Sequence, residues 1–157
     1  MSGKKVVTAY DKAIRYLSQV EYIDEMIGEK QDMIDSLRSS ITGTSACSDN
    51  ERVQTSPKDR LSETCAKIVD LYEQLNDDID KLVDLKAEVI REVDQYVDDL
   101  KQRRVLYLRY LKYMPMPSIA KEMHISERTA YRLHNEAVQK LSKKFKACQK
   151  VAESGRE

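Results

Sequence analysis

The sequence contains no tryptophan, a single phenylalanine and only 6% aromatic residues, so its 157 residues are short of material for a large globular core. With 4 glycines and 3 prolines, little interrupts helix formation. No apolar run alternates with a period of two, which argues against strands. The three cysteines, Cys47, Cys65 and Cys148, are odd in number and show no CxxC spacing, and His124 and His134 stand apart without partner ligands. No disulfide framework, metal site or cofactor is expected. Cys65 is instead expected to serve as a small apolar packing residue. A Gly-rich phosphate loop, a nucleophile motif and a distinctive carboxylate pair are all missing, so the chain is not expected to be an enzyme. The opening MSGKKVVTAY lacks the apolar region of a signal peptide, and no run approaches the roughly twenty residues that span a bilayer. A cytoplasmic protein without membrane contact is the expectation.

Charge is abundant and unevenly placed. The 27 Lys and Arg balance the 27 Asp and Glu overall. Residues 101–150, however, carry 13 basic against 3 acidic side chains, a balance of +10, while residues 1–100 carry 13 against 22, a balance of −9. A basic segment of this kind neutralises phosphates and releases counterions. The acidic half is expected to point away from any polyanion.

Apolar residues in the first hundred positions follow two runs at three-and-four spacing. The first is Val6, Ala9, Ala13, Tyr16, Val20, Ile23, Ile27, Ile34, Leu37 and Ile41, broken only by Lys30. The second is Leu61, Cys65, Ile68, Tyr72, Leu75, Ile79, Leu82, Val89, Val93, Tyr96 and Leu100, broken only by Lys86. Heptads sustained this long predict helix–helix packing. Residues 42–58 between them are polar and rich in Ser and Thr, a loop. The simplest arrangement is an all-α fold in which a long antiparallel, coiled-coil-like hairpin, each helix roughly 55 Å long at 1.5 Å per residue, precedes a C-terminal helix-turn-helix. Off-seam apolar residues (Ile14, Leu17, Met26, Val83, Leu85, Ile90 and Val97) would be left exposed in a monomer. A homo-oligomer, a dimer through residues 5–98, is therefore expected. Capture of a different protein by this surface is the alternative.

The stretch RRVLYLRYLKYMPMPSIAKEMHISERTAYRLHNEAVQKL, residues 103–141, carries the helix-turn-helix pattern. Ile119, Ala120 and Met123 fit a short helix with a small residue at the crossing point. Ile125, Ala130 and Leu133 supply the apolar face of a second helix. Pro115 and Pro117 mark the break before the first of these, Pro117 being tolerated in a first turn where its missing N–H has no partner anyway. Ser126 is the expected N-cap of the second helix, residues 127–141. His124 occupies the turn position where the backbone is usually left-handed. The outer face of the second helix then presents Glu127, Arg128, Tyr131, Arg132 and Asn135. Arg128 and Arg132 suit guanine, Asn135 suits an adenine edge, and Glu127 suits cytosine N4. Thr129, Arg109, Lys121 and Lys140 are better placed for phosphates. Tyr131 is equally readable as a packing aromatic; for both arginines contact with DNA is favoured over a solvated side chain. Double-stranded DNA, read in a sequence-specific way, is the expected partner.

With these residues in view, residues 103–141 resemble region four of bacterial sigma factors, in the order VLYLRYL, SIAKEMHIS, RTAYRLHNEAVQKL. The chain as a whole, including AIRYLSQVEYIDEMIGEKQDMIDSLR and SDNERVQTSPKDRLSE, resembles the RinA and ArpU type of late-gene activators from Gram-positive phages and prophages. His124 stands where that pattern usually has glycine, and the paired prolines are unusual in it. The resemblance implies a regulator of late-gene promoters, carried by a phage or mobile element and working beside host RNA polymerase, with Arg128, Thr129, Tyr131, Arg132 and Asn135 in the reading helix. The hairpin does not resemble a sigma core-binding region. The expected organisation is a hairpin over 1–98, a helix-turn-helix domain over 99–146 and a tail over 147–157. A DNA-packaging subunit like the small terminases, which also join a helix-turn-helix to an oligomerising hairpin, is the alternative.

Overall fold

The computed structural model describes residues 7–43 and 57–154. Five helices make up the described chain: α1 (Ala9–Gly43), α2 (Pro57–Tyr96), α3 (Leu100–Tyr110), α4 (Met116–Glu122) and α5 (Glu127–Ser154). The all-α expectation holds, and among the described residues no helix is long and apolar enough to cross a membrane. Most of the expected loop 42–58 lies outside the described residues. Pro57 opens α2, a position where its fixed φ is already helical.

The helices form two compact units, Ile23–Val83 and Met1–Tyr22 with Asp84–Glu157. In Ile23–Val83, α1 and α2 run antiparallel, because Lys30 pairs with Asp78 and the later Arg38 lies over the earlier Tyr72, its guanidinium 5.2 Å from the ring centre. Ile34, Leu75 and Leu82 are buried here. Lys30, the break in the first apolar run, now has a reason. Its ammonium reaches Asp78 at 2.5 Å with both side chains largely covered, and this hydrogen bond, reinforced by Lys81, holds the Asp78 carboxyl below its usual range.

The other unit is built from the first turns of α1, the last turns of α2 and all of α3, α4 and α5. Thr8 and Asp11 start α1 with a capping box: the Thr8 N–H donates to Asp11 Oδ2 (3.0 Å) and the Asp11 N–H to Thr8 Oγ1 (3.2 Å). Ala13, Leu17 and Val20 from α1 are fully buried, as are Val93 and Val97 at the end of α2 and Val138 and Leu141 on α5. Leu17 and Val97 therefore correct the expectation that they lie exposed. Burial on this part of the hairpin extends beyond one seam, since the C-terminal helices cover a second side. Lys86, the other seam break, places its ammonium 5.5 Å from the centre of the Tyr113 ring.

Four residues of the second seam, Leu61, Cys65, Ile79 and Leu100, are exposed instead. Leu100 is 76% exposed, because α2 stops at Tyr96 and Asp99 restarts the chain as the N-cap of α3, its Oδ1 accepting from the N–H groups of Lys101 (2.7 Å) and Gln102 (3.2 Å). Cys65 is exposed rather than packed. At 100° per residue it sits roughly a quarter-turn round α2 from Leu75 and Leu82. Arg103 closes the end of α2, donating to the carbonyls of Asp94 and Val97 and pairing with the Asp94 carboxylate at 3.2 Å.

The helix-turn-helix core consists of Val105 and Leu108 from α3, Met116, Ile119 and Ala120 from α4, and Ala130 and Leu133 from α5, with Met123 and Ile125 packed against it. Pro115 is the N-cap of α4 and Pro117 lies in its first turn. The turn after α4 is a Schellman motif. The Ile125 N–H returns to Ala120 O (3.0 Å) and the His124 N–H to Lys121 O (3.2 Å), with His124 at φ 55°. A side chain in this conformation costs roughly 1–2 kcal/mol, so His124→Gly is expected to raise stability by about 1 kcal/mol in a thermal melt, less glycine's own entropy cost. A fall would show that the imidazole makes a compensating contact. Tyr113 also has a φ of 55°, with no sequence signal for it. Helix α5 runs to Ser154, through the expected tail, because no Gly or Pro occurs between residues 127 and 154.

Candidate nucleic-acid interface

Helix α5 starts where its N-cap places it. The Thr129 N–H donates to Ser126 Oγ at 3.2 Å and the two hydroxyls lie 2.8 Å apart, so Ser126 and Thr129 both serve the cap. Glu127 is exposed in the first turn, where a carboxylate also suits the positive end of the helix dipole. Ala130, Leu133, Ala137, Val138 and Leu141 face inward. The opposite side is left to polar groups.

Arg128, Thr129, Tyr131, Arg132 and Asn135 line one shallow groove together with Glu136 and Gln139. Arg128 is exposed. Arg132 is also exposed, and its Nε lies 3.9 Å from Glu136 Oε1, a separation at which a surface pair is worth little. Tyr131 is 49% exposed and stands between this groove and a second one, so it is not an ordinary core aromatic. The second groove joins Arg109, Tyr110, Pro115, Met116 and Pro117 to Tyr131, His134 and Asn135. Arg109 is partly spent within the fold: its Nη1 donates to Met114 O at 3.5 Å and its guanidinium lies over Tyr110. Lys121, Lys140 and Glu127 line neither groove.

Asn135 is the most constrained of the expected reading residues. The Tyr10 hydroxyl, from the first turn of α1, donates to its Oδ1 at 3.0 Å, and His134 Nδ1 lies 3.2 Å from the same oxygen. The other nitrogen of His134 is 2.9 Å from the Tyr110 hydroxyl, and the two rings stack. Burial holds His134 below its ordinary pKa and pushes the Tyr110 hydroxyl up to about 12. The imidazole is accordingly neutral and the phenol protonated near pH 7. Tyr10 does not stand out in the sequence, because its pairing joins residues 125 positions apart.

The basic segment has a second use. Lys144 on α5 pairs with Glu92 and with Glu88 (3.7 Å) of α2, and lies 4.5 Å from the centre of the Tyr16 ring. Arg103 meets Asp94, and Arg104 meets Glu122 at 3.8 Å. Part of the charge split is thus neutralised inside the fold, contrary to the expectation that the acidic half simply points away. The charge left for an external polyanion includes Arg128, the weakly paired Arg132 and exposed lysines such as Lys121 and Lys143.

No curated protein and no solved structure matches the chain. Residues 99–143 match the family described as Sigma-70, region 4; this span begins at the N-cap of α3 and ends within α5, and it supports the helix-turn-helix reading of the C-terminal part, which is similar to that DNA-binding region.

Proposed function

We propose that this protein is a sequence-specific transcription regulator that acts as a dimer, laying the first turns of α5 in the major groove of promoter or operator DNA beside RNA polymerase. Activation of late genes in a phage or mobile element is the role we assign it, on the strength of the resemblance of the whole chain to activators of that kind. The observation that carries the reading is the outer face of α5. In a region-four-like helix-turn-helix, Arg128, Tyr131, Arg132 and Asn135 are grouped on one groove, opposite the buried Ala130 and Leu133. A helix so presented fits the geometry by which such motifs read base edges.

The dimer has separate support. Leu61, Cys65, Val69, Ile79 and Val83 are exposed along α2 at spacings built from three and four residues. Such a stripe is the kind that a second helix covers. Two reading helices then address half-sites one helical turn apart, roughly 10–10.5 base pairs or a multiple of that.

Selection from a pool of genomic fragments at physiological salt tests both parts. The expected result is a compact motif repeated at that spacing upstream of a gene block, bound by a species with the mass of two chains. Weak, uniform binding to all fragments would refute the regulator. A ring of eight to twelve chains would move the assignment to a packaging subunit.

A further inference from the structure

Asn135 Oδ1 has two lone pairs, and the fold uses both. Because Oδ1 is an acceptor, the His134 nitrogen 3.2 Å away must carry its hydrogen on Nδ1, which leaves Nε2 to accept from the Tyr110 hydroxyl at 2.9 Å. The second lone pair takes the Tyr10 hydroxyl at 3.0 Å. The result is a directed chain: Tyr110 donates to His134, His134 donates to Asn135, and Tyr10 donates to the same Asn135 oxygen. Both N–H bonds of the Asn135 amide remain for an outside group, at the junction of the two grooves. The chain is rigidly mounted. Tyr10 sits in the turn held by the Thr8–Asp11 capping box and followed by the buried Ala13 and Leu17, while Tyr110 is buried and stacked on the imidazole.

An asparagine reads adenine by using both ends of its amide, Oδ1 accepting from N6 and Nδ2 donating to N7. Here the accepting end is occupied. We propose that Tyr10 and His134 make Asn135 a donor-only reader, so that the base it addresses is guanine, whose major-groove edge offers two acceptors, O6 and N7, and not adenine. Tyr10 is thereby a positioning residue of the DNA-reading surface, although it belongs to the first helix. This rests on the proposed function, in that α5 must enter the major groove.

The test compares motifs selected by the full-length protein and by its Asn135→Ala and Tyr10→Phe variants. The expected wild-type motif has a guanine whose preference disappears in Asn135→Ala. Tyr10→Phe, which removes one hydroxyl and keeps the ring, is expected to lower the guanine-over-adenine preference at that position alone, by about tenfold, the scale of one good base contact. An adenine at the Asn135-dependent position, or an unchanged preference in Tyr10→Phe, overturns the inference while leaving the regulator intact. A motif with no Asn135-dependent position overturns it as well, and the absence of any motif defeats both readings. Nitrogen NMR of His134 in the free protein gives a readout without DNA. The Nδ1-protonated tautomer is expected, and the Nε2-protonated form would refute the chain of donors.

Discussion

Replacing Leu17 by alanine is expected to cost about 2–5 kcal/mol of stability, the range for emptying a fully buried leucine site, and to lower the melting temperature by on the order of 5–15 °C. Leu17 is 0% exposed and belongs to the same unit as α3, α4 and α5. The loss should therefore appear in the C-terminal domain, as faster amide exchange of α5, although the change lies in the first helix. Leu100→Ala supplies the contrast. Its side chain is 76% exposed, and its removal should shift stability by no more than about 0.5 kcal/mol. If the two substitutions were equally mild, Leu17 would not be packed against anything that matters. If Leu100→Ala were the costlier, Leu100 would have to be a packed residue of the α2–α3 junction rather than an exposed one.

Changing Arg128 and Arg132 together to alanine is expected to produce the largest loss of binding. A bidentate arginine–guanine contact discriminates by about 1–3 kcal/mol, so the pair commands roughly 2–6 kcal/mol at its preferred site. Little is returned by the Arg132–Glu136 pair. At 3.9 Å, with side chains 68% and 47% exposed, it belongs to a class worth about 0–1 kcal/mol. Lys121→Ala/Lys140→Ala should behave differently, weakening all sequences alike and reducing the slope of log affinity against log salt by about 2. Titrations on the selected site and on a scrambled duplex at several salt concentrations separate the two behaviours. A double arginine variant that still preferred the selected site over the scrambled one would remove α5 as the reader.

What could be read in the sequence was mostly local. Pro115, Pro117, His124 and Ser126 each act through the backbone within a few residues, and α4, the turn and the start of α5 lie where those residues put them. The inward face of α5 followed from its spacing. Heptad spacing likewise identified the side of α1 and α2 that carries Ile34, Leu75 and Leu82. It failed where a helix buries more than one side, as at Leu17 and Val97, and where a helix stops within the pattern, as at Leu100. Lys30 and Lys86 looked like faults in the seam, yet each has a partner, Asp78 and Tyr113, that only folding brings near. Similarly, the arginines and lysines of the basic segment read as one polyanion-binding surface, but Arg103 and Lys144 are committed to acidic residues of α2. The hydrogen bond from Tyr10 to Asn135 is beyond any window of sequence. It decides what the candidate site offers to a base, and it depends on two helices meeting that no local rule pairs.

The unit that holds the helix-turn-helix includes both Ala13, Leu17 and Val20 and the distant Val138 and Leu141. During synthesis the first three leave the ribosome long before the last two exist. At roughly 5–20 residues per second, the side of the first helix that meets α5 through Tyr10 and Tyr16 waits on the order of 6–25 s for Asn135 and Phe145 to be made. Over that interval it is an open binding surface for chaperones and for neighbouring nascent chains, and closing so long a loop then slows the final docking step. The yield of functional protein should depend on the translation rate of the segment between them, a sensitivity that a domain folded only from its own contiguous residues would not have.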